Sequence, residues 1–221
     1  MKKEILHSFT AAGVLLLLFG LFTVAVSVVD VQPIGPLQSM IGFAGINGYV
    51  FQLFGENQFW YHLTEGVGIV AVLLACGFAL NGLWQLVKRK RISEVDKDII
   101  ALGFIYAIAI ATYLLFEIGI INYRPVLVDG VLEASYPSSH TMVVLCILGT
   151  AIIRFHYKIK NKAAGLAIKL VLSGFILVTA AGRLISGMHW FTDIVGGILL
   201  GASLTMLYAF AVQYIRYRYR E

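Results

Sequence analysis

The sequence predicts an all-α integral membrane bundle of six transmembrane helices, with short interfacial helices in its first long loop. Three observations carry that prediction. Hydrophobic residues make up 59% of the 221-residue chain and charged residues only 13%, about half the share usual in soluble domains. The mean hydropathy of +0.85 implies more apolar surface than a soluble domain of this length can enclose. Finally, apolar runs near the ~20 residues that a helix needs to cross a bilayer recur six times.

The runs fall at 8–29, 67–86, 99–116, 141–157, 163–181 and 194–215. Helices suit them because lipid offers backbone groups no hydrogen-bonding partner, so each group must be satisfied within its own segment. The first run follows Lys2 and Lys3 and holds Ala25-Val26-Ser27, a pattern resembling a signal-peptide cleavage site. Its apolar stretch exceeds the roughly 7–15 residues of a signal core, so an uncleaved anchor is expected. The fourth run is the shortest, and Arg154 and His156 in its last turn are expected to snorkel to the interface. Gly197 and Gly201 in the sixth permit close helix approach, within the chain or between copies. Residues 1–221 read as a single membrane domain without internal repeats.

Charge orients the bundle. All but two of the 17 Lys and Arg residues cluster at the ends of the runs on one side, which the positive-inside rule places in the cytoplasm together with both termini. The exceptions are Arg124 and Arg183. Disorder is excluded by the apolar content. The net charge of +5 is scattered between apolar runs, which disfavours a nucleic-acid partner. Cys76 and Cys146 lie inside apolar runs without metal or disulfide spacing.

Three loops then face outward. The first, 30–66, lacks Lys and Arg but is rich in aromatic residues, among them Tyr49, Phe51, Phe59, Trp60 and Tyr61. Such residues favour the headgroup level, so this loop is expected to lie in the interface, as a spacer or as a cap admitting a lipid sideways. The second, 117–140, holds Arg124-Pro125 and Pro137-Ser138-Ser139-His140; the third, 182–193, holds Arg183, His189 and Asp193. Singly, each of these residues has a plain structural reading: a snorkelling arginine, a polar cap, an aspartate capping the last helix. Together, at one membrane face, they read as a polar site.

These residues resemble the type 2 phosphatidic acid phosphatase superfamily, whose motifs are KxxxxxxRP, PSGH and SRxxxxxHxxxD. The resemblance covers about 99–215 and includes the placement of the motifs at the ends of spans three to six. It implies that His189 is a nucleophile forming a phosphohistidine, that Asp193 orients it, and that His140 protonates the leaving oxygen and then activates water. Arg124, Arg183, Ser138 and Ser139 are implied as phosphate ligands. The chemistry suits these types: guanidinium forks match phosphate oxygens, and helix N-terminal N–H groups favour anions. A neutral His189 and a protonated His140 together predict a bell-shaped pH–rate profile. Asp193, four residues beyond His189, would share its face if the segment were helical. No metal or other cofactor is expected, because the ligand set is Arg-rich and carries no carboxylate or histidine cluster with divalent-ion spacing.

Three positions depart from the family pattern. Glu117 stands where the motif lysine is expected, Ser139 replaces the PSGH glycine, and Gly182 replaces the serine before Arg183. Glu117 is expected two helical turns below Arg124, paired with an arginine or a ligand hydroxyl. The small, undecorated chain resembles the bacterial branch acting on phosphatidylglycerol phosphate or undecaprenyl pyrophosphate. The first is the favoured substrate, phosphatidic acid a further one, and the second the alternative. The substrate is expected to enter from the bilayer of the plasma membrane to an outward-facing site. A lipid transporter is disfavoured because the middles of the spans carry no charge.

Overall fold

A computed structural model describes residues 2–219. Seven α-helices follow one another: α1 (Lys2–Val28), α2 (Ala44–Phe54), α3 (Gln58–Arg89), α4 (Lys97–Ile118), α5 (Ser139–Lys158), α6 (Lys162–Ile185) and α7 (Phe191–Tyr219). All except the short α2 are long and apolar enough to span a membrane. The six expected spans are therefore present, and α2 supplies the expected helix in the first loop.

Three of the helices begin where a side chain satisfies a free N–H group. The carboxamide of Asn57 accepts from Trp60 N at 3.2 Å, Asn161 from Ala164 N at 3.1 Å, and the Ser138 hydroxyl from Thr141 N at 3.4 Å. The cap at Asn57 moves a boundary. α3 starts at Gln58, so residues 58–66, expected in a loop, form its first turns and place Glu65 on a rigid helix. Hydropathy marks the lipid-facing length of a helix, not its full length. For the same reason α6 runs on to Ile185 and carries Arg183 in its last turn.

α5 and α7 form the centre, each with about half of its span buried, while the flanks of α1, α3 and α6 face outward. Their closeness has a local cause. A Cβ at Gly197 would lie 2.8 Å from the Ser138 carbonyl oxygen, and one at Gly201 2.8 Å from that of Met142. The glycine pair is thus consumed by packing within the chain. Arg154 does not snorkel: it is buried, ion-paired with Asp98 and set over the Phe78 ring at 5.5 Å. An acid on the neighbouring helix made burial cheaper than reaching the interface.

The loops at the opposite end from the basic clusters are tied together. Tyr123 and Ala134 form an antiparallel bridge that folds 119–138 back on itself. Asn47 of α2 donates to Thr192 Oγ1 at 2.9 Å and accepts from Thr192 N at 3.1 Å. Trp190 Nε1 donates to the Tyr123 carbonyl at 2.6 Å. Tyr136 stacks beside Phe19 and shares a 2.9 Å hydrogen bond with Thr23 of α1. These bonds fix three loops against one another above α5 and α7.

Candidate active site

Arg183 projects from the last turn of α6, 1% exposed, with its guanidinium 5.3 Å from the Tyr61 ring and ion-paired to Glu65. The same Glu65 oxygen lies 3.1 Å from His140 Nε2, at the start of α5. One carboxylate therefore holds both the arginine and the histidine. Arg124 is placed by the folded-back loop, where its N–H donates to the Glu133 carbonyl at 3.0 Å. Its Nε stands 3.0 Å from Glu133 Oε2, an ion pair whose N–H direction misses hydrogen-bond geometry.

His189 sits just before α7 and is buried. Its Nδ1 is 3.1 Å from Ser135 Oγ and 3.7 Å from Asp193 Oδ2, while the Ser135 hydroxyl donates to that same carboxylate oxygen. This corrects the expectation of direct helical stacking. Asp193 lies in the first turn of α7, where its carboxylate accepts Trp190 N–H at 2.9 Å, and it reaches His189 through Ser135. With its hydroxyl proton committed to Asp193, Ser135 accepts from Nδ1–H and leaves the Nε2 lone pair free. Burial pushes the imidazole well below its ordinary value, and the fields of Arg124 and Arg183 push it the same way. His189 is held neutral.

The expected residues converge. The charges of both arginines bear on His189, and His140 is tied to Arg183 through Glu65. Arg183 Nε and Nη1 are buried donors without a hydrogen-bond partner among the described residues, the costly condition that a bound oxyanion relieves, and His189 Nε2 is likewise unpartnered. Ser139 and His189 line a cleft whose other wall is Tyr113, Phe116 and Glu117 of α4. Ser138 is engaged otherwise: its hydroxyl caps α5 through Thr141, and its N–H donates to the Asp193 carbonyl at 2.9 Å. Of the two serines, Ser139 at the first turn of α5 is the one beside His189 in the cleft wall.

Glu117 differs from expectation. α4 stops at Ile118, so no helical turns connect Glu117 to Arg124. It is exposed at the cleft mouth, beside the Tyr113 hydroxyl one turn earlier. The Gly182 departure has a packing cause. A Cβ there would lie 2.6 Å from Thr64 Cγ2 and 2.9 Å from Trp60 Cε3, so a serine does not fit against this α3.

The sequence profile of the PAP2 superfamily matches residues 74–217, well over half of the chain. The chain belongs to the PAP2 superfamily. No curated protein matches it. The crystal structure described as that of the first transmembrane PAP2 type phosphatidylglycerolphosphate phosphatase from Bacillus subtilis is similar, with a TM-score of 0.65 and 14% identity over 92% of this chain and 96% of that one. At that identity the likeness establishes a shared membrane fold. Arg124, His140, Arg183, His189 and Asp193 all lie in the matched PAP2 segment, whereas Glu65 lies before it.

Glu65 and Ser135 are the site residues that sequence reading missed. Glu65 is 118 positions from Arg183. Its one signal was an acid at the mouth of an apolar run in a loop without Lys or Arg. Ser135, two residues before the Pro137 motif, carried none.

Proposed function

We propose that this PAP2 protein is a membrane lipid phosphatase that hydrolyses the phosphomonoester of phosphatidylglycerol phosphate, with phosphatidic acid as a further substrate, through a phosphohistidine. The observation that carries the reading is the buried His189 with Nδ1 held by Ser135 and Nε2 unpartnered, its basicity lowered by burial and by the charges of Arg124 and Arg183. His189 Nε2 attacks phosphorus while the bond to the glycerol oxygen breaks and His140 gives that oxygen a proton. Arg124, Arg183 and the N–H of Ser139 hold the equatorial oxygens, where charge must be stabilised. Water then loses a proton to His140 and attacks the phosphohistidine, releasing inorganic phosphate and restoring His189.

An apolar groove of about 350 Å³ between α3, α4 and α5 shares Tyr113 with the cleft. It supports access from the bilayer, with the tails in lipid and the headgroup at the arginines. The positive-inside bias supports an outward-facing site in the plasma membrane, both termini being cytoplasmic.

The test is phosphate release by purified protein from phosphatidylglycerol phosphate and undecaprenyl pyrophosphate side by side, with and without EDTA. Faster turnover of the first, unaffected by EDTA and abolished in His189→Ala, is expected. Preference for the pyrophosphate would reassign the substrate. Loss in EDTA with rescue by Mg²⁺ would replace the mechanism, and release that persists in His189→Ala would remove the nucleophile.

A further inference from the structure

At the end of the bundle opposite His189, the last turns of α5, the first turns of α6 and one face of α7 border a groove of about 540 Å³. Its floor is apolar, formed by residues such as Ile152, Ile153, Ile168 and Ala209. Its polar lining is of one kind. Lys162, Lys169 and His156 line it together with Asn161 and Gln213, and no carboxylate does. Asn161 spends its carbonyl oxygen on the Ala164 N–H, and Gln213 spends its own on Ser8. Both amides thus keep their NH₂ groups to offer.

The lysines are unlike the cations around them. Arg154 is paired with Asp98, Lys158 with Asp96 at 3.4 Å, and Arg216 lies over the Tyr157 ring at 4.4 Å. Lys162 and Lys169 have no such partner among the described residues, and both are exposed. Seven residues apart, they fall on one stripe of α6, about 10 Å along its axis. That spacing sets Lys169 two turns inside α6, beside the apolar floor of the groove. An ammonium there is expensive to leave unneutralised.

We propose that this groove is a binding site for an anionic glycerophospholipid of the leaflet at that end, separate from the substrate site. The phosphate takes hydrogen bonds from Lys162, Lys169 and the amide NH₂ groups, and an acyl chain lies along the isoleucines. Charge complementarity selects the class. A zwitterionic lipid would bring an ammonium or trimethylammonium into a groove that holds three basic side chains and no acid to receive it. Depth selects a lipid over a soluble anion, because the floor has apolar surface for a chain to cover.

The experiment uses the full chain in detergent micelles, titrated with equimolar phosphatidylglycerol and phosphatidylcholine and read by native mass spectrometry. Retention of phosphatidylglycerol at least fivefold over phosphatidylcholine is expected. That preference should vanish in the Lys162→Gln/Lys169→Gln protein while phosphatase turnover is unchanged, because neither lysine is near the site. Equal retention of the two lipids would overturn the proposal, and so would a preference that survives in the double variant. Should that variant not fold, a photoactivatable phosphatidylglycerol on the unaltered protein decides. Labelling of residues 152–169 supports the site, and labelling confined to the peptides carrying Ser135 and His189 overturns it.

Discussion

Removing the Ser135 hydroxyl isolates the one contact that sets which histidine nitrogen carries the proton. In Ser135→Ala the Nδ1–H of His189 loses its partner at 3.1 Å, and the nearest acceptor becomes Asp193 Oδ2 at 3.7 Å, beyond hydrogen-bonding range. Asp193 keeps the Trp190 N–H at 2.9 Å, so its position is retained. Two states then become competitive: the productive tautomer, with a weakly held Nδ1–H, and its reverse, with the proton on the attacking Nε2. A hydrogen bond to a charged group is worth about 1.5–3 kcal/mol. Imidazolium character develops during attack, so the loss converts to about a 10- to 150-fold fall in kcat. Loss of orientation alone, in the way an aspartate-to-asparagine change disables a serine protease, sets an outer bound near 10⁴-fold. The arginines proposed to hold phosphate are untouched, so KM should change little. The assay is steady-state phosphate release from lipid in mixed micelles, with the thermal melt as a check on folding. A kcat within twofold of the unaltered enzyme, in a protein melting normally, would refute the relay.

Three other outcomes follow from the same geometry. His189 is neutral in the folded chain below its ordinary value of about 6.5, so the acidic limb of kcat/KM should lie below that pH; the stability tied to the neutral ring is intact above pH 6.5 and lost as pH falls. Profiles of rate and melting temperature between pH 4 and 9 check this, and a limb at or above 6.5 would contradict it. Glu65→Gln removes the charge that holds Arg183 and His140 together and should lower kcat about tenfold or more; a gain in turnover would instead mark Glu65 as a competitor of phosphate. Gly182→Ser drives a side chain into Thr64 and Trp60, which should cost about 1–3 kcal/mol and several degrees of melting temperature, partly recovered by Thr64→Ala. An unchanged melt would mean that α3 shifts freely.

Much of the site was readable before any coordinates because its chemistry is concentrated in short segments. Arg183, His189 and Asp193 fall within one stretch of eleven residues, and His140 directly follows its two serines. Their spacing, matched to the family motifs, singled them out. The errors came from assuming how those segments fold. His189 precedes α7, so the shared helical face that would bring Asp193 directly to it does not form, and Ser135 makes the link. Glu117 ends its helix, so it never aligns with Arg124. Ser138 is absorbed by capping α5 and by Asp193. Arg154 was expected at the interface because the acid that buries it, Asp98, lies on another helix.

By itself the sequence determined the number of spans, the crowding of basic residues at one end, and the identity of the groups proposed to bind and attack phosphorus. Those properties are one-dimensional: apolar length, charge order and motif spacing are written along the chain, and a bilayer reads them in that form. Only the tertiary structure decided which acid serves which base. Glu65 meets Arg183 and His140 because α3 packs against α5 and α6, and Ser135 comes between His189 and Asp193 because a loop folds back over α7. Pairing in a buried site depends on ångström-scale approach between segments far apart in sequence, and packing alone sets that approach.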